Sequence, residues 1–292
     1  MIFINAVSVA PDARDWLANS RHPRILHTFD QACNLINERR EILSIVTQQI
    51  GNGPFNLVVE DDVLFSEHLN LPAKRLISVF PNQLNLGDLI INTGNAKLWT
   101  PRPDWETLHA RRNDILNQLM SLPITNYQAR GLDMGFATSA QPYSTTTSLP
   151  AKRLISALST AHIPSLLTAT QKLAGLGIGL TPAGDDFILG AVLATWIIHS
   201  LDIARGLAEE ITNIASPLTT SLSAAWLKSA GRGEAGILWH QFFDALISAN
   251  PVHVQEAMDK ILAVGETSGA DALAGFIGLF IGLGDLTSSK NN

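Results

Sequence analysis

The sequence contains a single cysteine, only two tyrosines and no long uninterrupted hydrophobic run. Cys33 has no partner for an intrachain disulfide, and no second cysteine is present for a redox pair or a cysteine-based zinc site. The longest apolar stretches, residues 187–201 and 272–284, are shorter than the roughly 20 residues that span a bilayer. The chain also begins without the basic region that opens a signal peptide. We therefore expect a cytoplasmic globular protein that does not cross a membrane.

Charge is scarce as well, since charged residues make up 16% of the chain against about 25% in an average soluble domain. Hydrophobic residues reach 46% and the mean hydropathy is +0.16, which excludes disorder as a description of the whole chain. The 20 basic and 26 acidic residues leave a net charge of −6. Because nucleic-acid-binding proteins usually carry a basic balance or a basic stripe, we expect no nucleic-acid partner.

Residues 1–104 form the first predicted domain, in which short apolar runs alternate with turn residues. These runs predict strands at Ile25–Phe29, Asn34–Asn37, Ile42–Thr47, Phe55–Val59, Arg75–Phe80, Asp88–Asn92 and Ala96–Trp99. A hairpin turn is predicted at Asn37–Glu41, and the strand spacing favours a small antiparallel sheet or barrel. The domain ends near Thr100–Pro103, because its two prolines disfavour both a helix and a central strand.

Residues 105–292 show a helical pattern and form the second predicted domain. Trp105–Leu122 has apolar residues at helical spacing, whereas Gly131–Pro150 is typical of a long surface connection. Prolines that can begin helices follow at positions 150, 164, 217 and 251, and glycines that can end them at 175, 231 and 265. The predicted fold class is therefore α+β: a β-rich N-terminal sheet or small barrel followed by a mainly α-helical C-terminal bundle.

The densest motif lies at residues 175–186 and reads Gly-Leu-Gly-Ile-Gly-Leu-Thr-Pro-Ala-Gly-Asp-Asp. Alternating glycines permit backbone conformations that other residues disfavour, and they let a ligand approach the main chain. Thr181 and Pro182 have the residue types of a helix N-cap and a first helical residue, ahead of an apolar helix. Since free N–H groups at a helix start suit a phosphate or a carboxylate, we expect an anion at this turn.

A second stretch at residues 265–275 repeats the arrangement. In both stretches a glycine lies two residues before a threonine, and an aspartate lies four residues after it. Asp186 and Gly190, like Asp271 and Gly275, are spaced i, i+4 and so share a helix face. A glycine one turn below an aspartate lets another backbone pack closely beneath it. We therefore expect the two helix starts to face each other and their carboxylates to converge.

The two motifs define the candidate site. The candidate catalytic and metal-binding residues are Asp185, Asp186 and Asp271, and the candidate substrate-binding residues are Gly177, Gly179, Thr181, Gly184, Thr267, Ser268, Gly269 and Arg232. One hypothesis is a magnesium or calcium ion that bridges the aspartates to an anion on the glycine turn. A second needs no metal, since aspartates accept hydrogen bonds from the N–H groups of an amide or ureido substrate. A third is purely structural, because aspartate in a first turn complements the helix dipole.

The runs at 175–186 and at 265–271 (Gly-Glu-Thr-Ser-Gly-Ala-Asp) resemble a bacterial family long described as a domain of unknown function. One member type is the small third subunit of oxamate carbamoyltransferase, in anaerobic allantoin degradation. The resemblance covers most of the chain, including Asn52-Gly53-Pro54 and the region from Thr219 to Gly233. It implies conversion of oxalurate and phosphate to oxamate and carbamoyl phosphate, performed with two other subunits.

Two functions are compatible with these observations. In the first, the chain is a carbamoyltransferase subunit that binds a small anionic substrate, with Mg²⁺ as the cofactor of the metal hypothesis. In the second, it is a non-catalytic member of a hetero-oligomer, and its glycine motifs serve close helix packing.

Overall fold

The computed structural model describes residues 1–60, 63–69, 77–121 and 145–288. Helices account for 55% and strands for 17%, and a sheet of strands precedes a helical region. This confirms the predicted α+β class. The chain separates into two compact units, Met1–Pro101 and Arg102–Asn292.

The first unit is built on a nearly closed, barrel-like sheet. Its described strands are β1 (Ile2–Val9), β2 (Arg24–Thr28), β3 (Ala32–Ile36), β4 (Ile42–Thr47), β5 (Asn56–Val59), β6 (Ile77–Phe80), β7 (Gln83–Leu86), β8 (Leu89–Asn92) and β9 (Lys97–Leu98). Helices α1 (Pro11–Asn19) and α2 (Phe65–Leu69) lie in the same unit. The strand order is β2-β3-β4-β5-β1-β8-β7-β6, with β9 beside β1. The hairpin predicted at Asn37–Glu41 joins the antiparallel strands β3 and β4, and the Asn37 amide donates to the Glu41 carbonyl at 3.1 Å.

The sheet is mixed, so the expectation of an antiparallel arrangement is wrong. Strand β1 runs parallel to β8 along its first half and antiparallel to β5 along its second half. Strands β4 and β5 are also parallel. No tight hairpin connects the strands in either of these parallel pairs. Local turn signals in the sequence therefore do not reveal the pairings. The prediction also missed β1 and β7.

The core of the first unit lies between the sheet and its helices. Trp16 of α1 and Phe65 of α2 are buried, and the Trp16 indole N–H donates to the Glu41 carbonyl at 3.0 Å. Cys33 is buried in the same core, where burial raises the pKa of its thiol to about 12. The thiol therefore stays protonated, as expected of a small core residue rather than a nucleophile.

The second unit is helical. Its described helices are α3 (Trp105–Ala110), α4 (Arg112–Ser121), α5 (Thr145–Ser159), α6 (Ile163–Leu173), α7 (Ala183–Ile198), α8 (Leu201–Ala215), α9 (Ser221–Gly231), α10 (Ile237–Ser248), α11 (Pro251–Leu262) and α12 (Ser268–Ser288). Helices α7 and α12 lie in the core, together with large buried aromatic side chains: Trp105, Trp196, Phe187, Phe242, Phe243, Phe276 and Phe280. Among the described residues, no helix is both long and apolar enough to cross a membrane.

Some helix boundaries follow the prediction and others do not. Asn250 and Pro251 begin α11 as predicted, and the Asn250 side chain accepts a hydrogen bond from the Val252 amide at 3.0 Å. The helix predicted over residues 105–122 is instead divided at Arg111, whose amide donates to two carbonyls of the preceding turn and so closes α3. Residues 216–218 form a short 3₁₀ turn, and α9 begins only after its N-cap Thr220.

Pro150 was expected to begin a helix, but it lies inside α5. An interior proline costs about 3 kcal/mol, because it lacks the N–H that the helix needs. The following residues Ala151 and Leu154 are fully buried, and their packing offsets that cost. Of the connection predicted over residues 131–150, the part before Thr145 lies outside the described residues.

Candidate functional site at the paired starts of two buried helices

Helices α7 and α12 begin side by side because two glycines remove the side chains that would separate them. A Cβ atom on Gly190 would lie 1.7 Å from the Ala272 carbonyl oxygen. A Cβ atom on Gly275 would lie 2.0 Å from the Phe187 carbonyl oxygen. Real atoms cannot approach so closely, so both positions require glycine. The expectation that the two motifs meet, one glycine beneath each aspartate, is confirmed.

Four polar side chains converge where the two helices begin: Thr181, Asp186, Ser268 and Asp271. We call them the acid–hydroxyl cluster. The hydroxyls of Thr181 and Ser268 are hydrogen-bonded to each other at 2.9 Å, although 87 positions separate them in the chain. Both hydroxyls also act on the Asp186 carboxyl, as does the charge of Asp271. Asp271 itself is 1% exposed.

Asp186 is a nearly buried acid within the acid–hydroxyl cluster. Its residue is 9% exposed, and its Oδ2 atom is buried without a hydrogen-bond partner among the described residues. Burial raises the pKa of its carboxyl to about 8; the hydrogen bonds from Ser268 and Thr181 act against this rise, and the negative Asp271 and Asp185 add to it. The carboxyl is therefore mostly protonated at neutral pH. A buried acid with an unused oxygen is a typical feature of a functional site.

Asp185 has a different environment from its neighbour. One carboxylate oxygen accepts the Gly175 amide at 2.8 Å, and the other accepts the hydroxyls of Thr219 and Ser223, the latter at 2.9 Å. The residue is 1% exposed. Asp185 thus ties the glycine turn to the start of α9, and its expected role in catalysis or metal binding is not supported by this geometry. The sequence analysis missed Thr219 and Ser223, because isolated threonines and serines carry no distinguishing signal.

The expected N-cap is wrong, and the amides at the start of α7 are not free. Pro182 occupies the N-cap position, and Thr181 makes no capping bond. The Gly184 amide donates to the Leu176 carbonyl at 2.8 Å. The amides of Asp185 and Asp186 donate to the Pro182 carbonyl at 2.8 and 3.1 Å. The expected anion cradle of bare amides is therefore contradicted at these three positions.

The start of α12 is similar. The Gly269 amide donates to the Val264 carbonyl at 3.1 Å, and the Asp271 amide to the Thr267 carbonyl at 2.9 Å. A Cβ atom on Gly269 would lie 1.8 Å from the Ile261 carbonyl oxygen, so this glycine serves the packing of α12 against α11. Gly184 plays the same part in α7, since its Cβ atom would lie 2.1 Å from the Leu173 carbonyl oxygen. Gly184 and Gly269 therefore serve the close packing of these helix starts against neighbouring backbone.

Three of the predicted binding residues are exposed near the two helix starts: Gly177, Gly179 and Thr267. Gly177 and Gly179 have φ values of 122° and 97°, which confirms that this turn uses conformations favouring glycine. The side chain between them, Ile178, is 95% exposed. The roles of these residues in binding stay predictions.

Arg232 does not join the cluster, so its expected role as an anion clamp there is wrong. It follows the end of α9 and forms an ion pair with Glu234 at 2.6 Å. Ser223, which binds Asp185, lies nine positions earlier, or about 13 Å along the helix axis at 1.5 Å per residue. The adjacent Gly233 packs against Trp196, near the other end of α7.

The described residues hold no group of three or more histidine, cysteine, aspartate or glutamate side chains that could hold a metal ion. Both oxygens of Asp185 are engaged, and the acid–hydroxyl cluster itself contains two acidic side chains, Asp186 and Asp271. Since magnesium prefers six oxygen ligands, these residues alone make a sparse site. The magnesium hypothesis stays a prediction from the sequence pattern.

Comparison with known families places this geometry in context. Residues 173–280, which include the whole acid–hydroxyl cluster, match the family model described as oxamate carbamoyltransferase subunit AllH. Residues 5–98 match the model of the AllH family N-terminal domain. This chain belongs to the AllH family. The resemblance inferred from the two glycine–aspartate motifs is thereby confirmed, and the family is one of carbamoyltransferase subunits. No solved structure matches the chain.

Proposed function

We propose that this AllH-family chain carries a substrate site of a carbamoyltransferase that converts oxalurate and phosphate to oxamate and carbamoyl phosphate. The site is the acid–hydroxyl cluster, and the enzyme is completed by other subunits. The observation that carries the proposal is the buried Oδ2 atom of Asp186, which has no hydrogen-bond partner among the residues that the structure describes and lies where the two family motifs meet. Family membership supports the reaction class, and the cluster supplies chemistry that suits it.

The proposed role of Asp186 is general acid. A phosphate oxygen attacks the terminal carbonyl carbon of the ureido group, forming a C–O bond, and the C–N bond to the oxamate nitrogen breaks. That nitrogen needs a proton to leave as an amide. Because burial raises the pKa of Asp186 to about 8, its carboxyl carries such a proton at neutral pH. An acid whose pKa lies near the working pH is well matched to this step.

The test is the steady-state rate of the assembled complex containing Asp186→Asn. Asparagine keeps the size of the side chain but cannot donate its amide proton in this step, so we expect kcat to fall at least about a hundredfold. KM for oxalurate should change little. The matched control is Asp202→Asn, on α8, where the carboxylate side chain is 96% exposed. Repeating the assay after treatment with EDTA tests the magnesium hypothesis on the same preparation.

A non-catalytic role is the second candidate, and one observation favours it. Gly184, Gly190, Gly269 and Gly275 are all explained by close backbone packing, without any ligand. Under that function the Asp186→Asn complex keeps the full rate of the wild-type complex. Such a result would reject the proposed general acid.

A further inference from the structure

The surroundings of Asp186 limit the kind of ligand that can bind to it. The charged groups acting on its carboxyl are Asp271 and Asp185, and both are negative. Neighbouring hydroxyls on Thr181 and Ser268 already bond each other. The five amides described above, three at the start of α7 and two at the start of α12, donate to backbone carbonyls. The acid–hydroxyl cluster therefore offers mainly oxygen acceptors, with few donors for a phosphate or a carboxylate.

An anion placed against Asp186 would meet the same negative charges that act on its carboxyl. In a buried site that repulsion is weakly screened, and each donor that the anion fails to find adds a desolvation cost. An amide or ureido group has the opposite properties, since it is neutral and has both N–H donors and a C=O acceptor. A carboxyl and a primary amide can pair through two hydrogen bonds side by side, because each has one donor and one acceptor.

We infer that Asp186 recognises the amide or ureido end of the substrate, and that the acid–hydroxyl cluster excludes its carboxylate and the phosphate. The carboxylate and the phosphate then lie outside this cluster, against donors that other residues or other subunits supply. This inference rests on the proposed function and deepens it, because it states which end of oxalurate or oxamate faces α7 and α12.

The test compares two ligands that differ at one group. Oxamate has an amide where oxalate has a second carboxylate, and the two are otherwise alike. We expect the assembled complex to bind oxamate at least about tenfold more tightly than oxalate in a calorimetric titration. The loss of one buried hydrogen bond to a charged or polar partner lowers the affinity by about this factor. Inorganic phosphate, added before the oxamate titration, should not weaken the binding of oxamate.

Two variants assign the preference to Asp186. Asp186→Asn keeps one donor and one acceptor, so the preference for oxamate should survive while catalysis is lost. Asp186→Leu keeps a similar shape without polar atoms, so the preference should disappear. Ser268→Ala, which leaves the carboxyl in place, serves as a second variant if Asp186→Leu does not fold, and it should weaken the preference severalfold.

The outcomes separate this inference from the proposed function. Binding of oxalate as tight as or tighter than that of oxamate, or competition between phosphate and oxamate in the wild-type complex, overturns the inference alone, provided that Asp186→Asn still lowers kcat. A preference for oxamate that persists in Asp186→Leu means that the amide is recognised elsewhere, which also overturns it. Full activity of Asp186→Asn overturns the proposed function, whatever the ligands do. Absence of binding by all three compounds to the assembled complex counts against both.

Discussion

The two ends of α7 differ in how completely their buried polar groups are satisfied. At the end of the helix, the indole N–H of Trp196 donates to the Ala230 carbonyl at 2.9 Å, and the indole N–H of Trp105 donates to the Gly233 carbonyl at 2.7 Å. His199 bonds the Leu158 carbonyl at 2.9 Å through Nε2. At the start of the same helix, the Oδ2 atom of Asp186 has no partner within the described parts of the chain.

This difference distinguishes a structural region from a candidate site. Both ends are buried, so burial alone does not mark function. A buried polar atom without a partner costs about 1–3 kcal/mol, and such a cost persists where a ligand or a reaction uses the atom. Asp185 and Asp186 show the same difference within one turn of α7. The oxygens of Asp185 accept three hydrogen bonds, so this residue acts as a structural tie.

The largest effect on stability is expected from a substitution that forces apart the starts of α7 and α12. In Gly190→Val, the added side chain meets the Ala272 carbonyl oxygen at a distance that no side chain tolerates. We expect a loss of at least about 4 kcal/mol in the free energy of unfolding, measured by chemical denaturation. Gly206→Ala on α8 is the control, since nothing lies within 4 Å of its added Cβ atom, and there alanine should stabilise by about 0.5–1 kcal/mol. Equal effects at the two glycines would disprove the close packing of the helix starts.

A smaller effect is expected at the satisfied end of α7. Trp105→Phe removes an indole N–H and leaves the Gly233 carbonyl without that donor. We expect a loss of about 1–3 kcal/mol in the free energy of unfolding, because a buried acceptor is left unsatisfied. Binding of oxamate by the folded complex should not change, since the substitution lies at the other end of the helix. A large change in that binding would contradict the separation between a structural end and a functional end.

The last effect depends on pH and, unlike the two losses above, stabilises the variant relative to the wild type as the pH rises. The pKa of Asp186 rises from 3.8 in its reference state to about 8 in the folded chain, so between these values the folded state holds a proton that the unfolded state has lost. The stability that this bound proton gives the folded state is fully present below pH 3.8 and is lost as the pH rises through 8. Asp186→Asn does not titrate, so its stability relative to the wild type should increase by about 1.4 kcal/mol per pH unit above pH 5, or about 4 kcal/mol from pH 5 to pH 8. A difference that stays constant across denaturation curves at pH 5, 6.5 and 8 would show that Asp186 is not a buried acid.

Local sequence signals predicted the elements that depend on local chemistry. Asn250 and Pro251 begin α11, and the turn at Asn37–Glu41 joins two strands, because capping and turn preferences act over a few residues. Pairings between distant strands were beyond such signals, as the parallel pair β1 and β8 shows. The N-cap assigned to Thr181 failed for the same reason, since its hydroxyl bonds Ser268 from another helix.

The sequence by itself determined that two aspartate-led helices would meet, because a glycine one turn after each aspartate leaves room for only another backbone. Only the tertiary structure decided which aspartate is a structural tie and which keeps an unused oxygen. That distinction depends on hydroxyls from Thr219 and Ser223, which lie 34 and 38 positions from Asp185 and reach it only in the folded chain. Adjacent residues with the same side chain therefore acquire different chemistry from the partners that the fold brings to each.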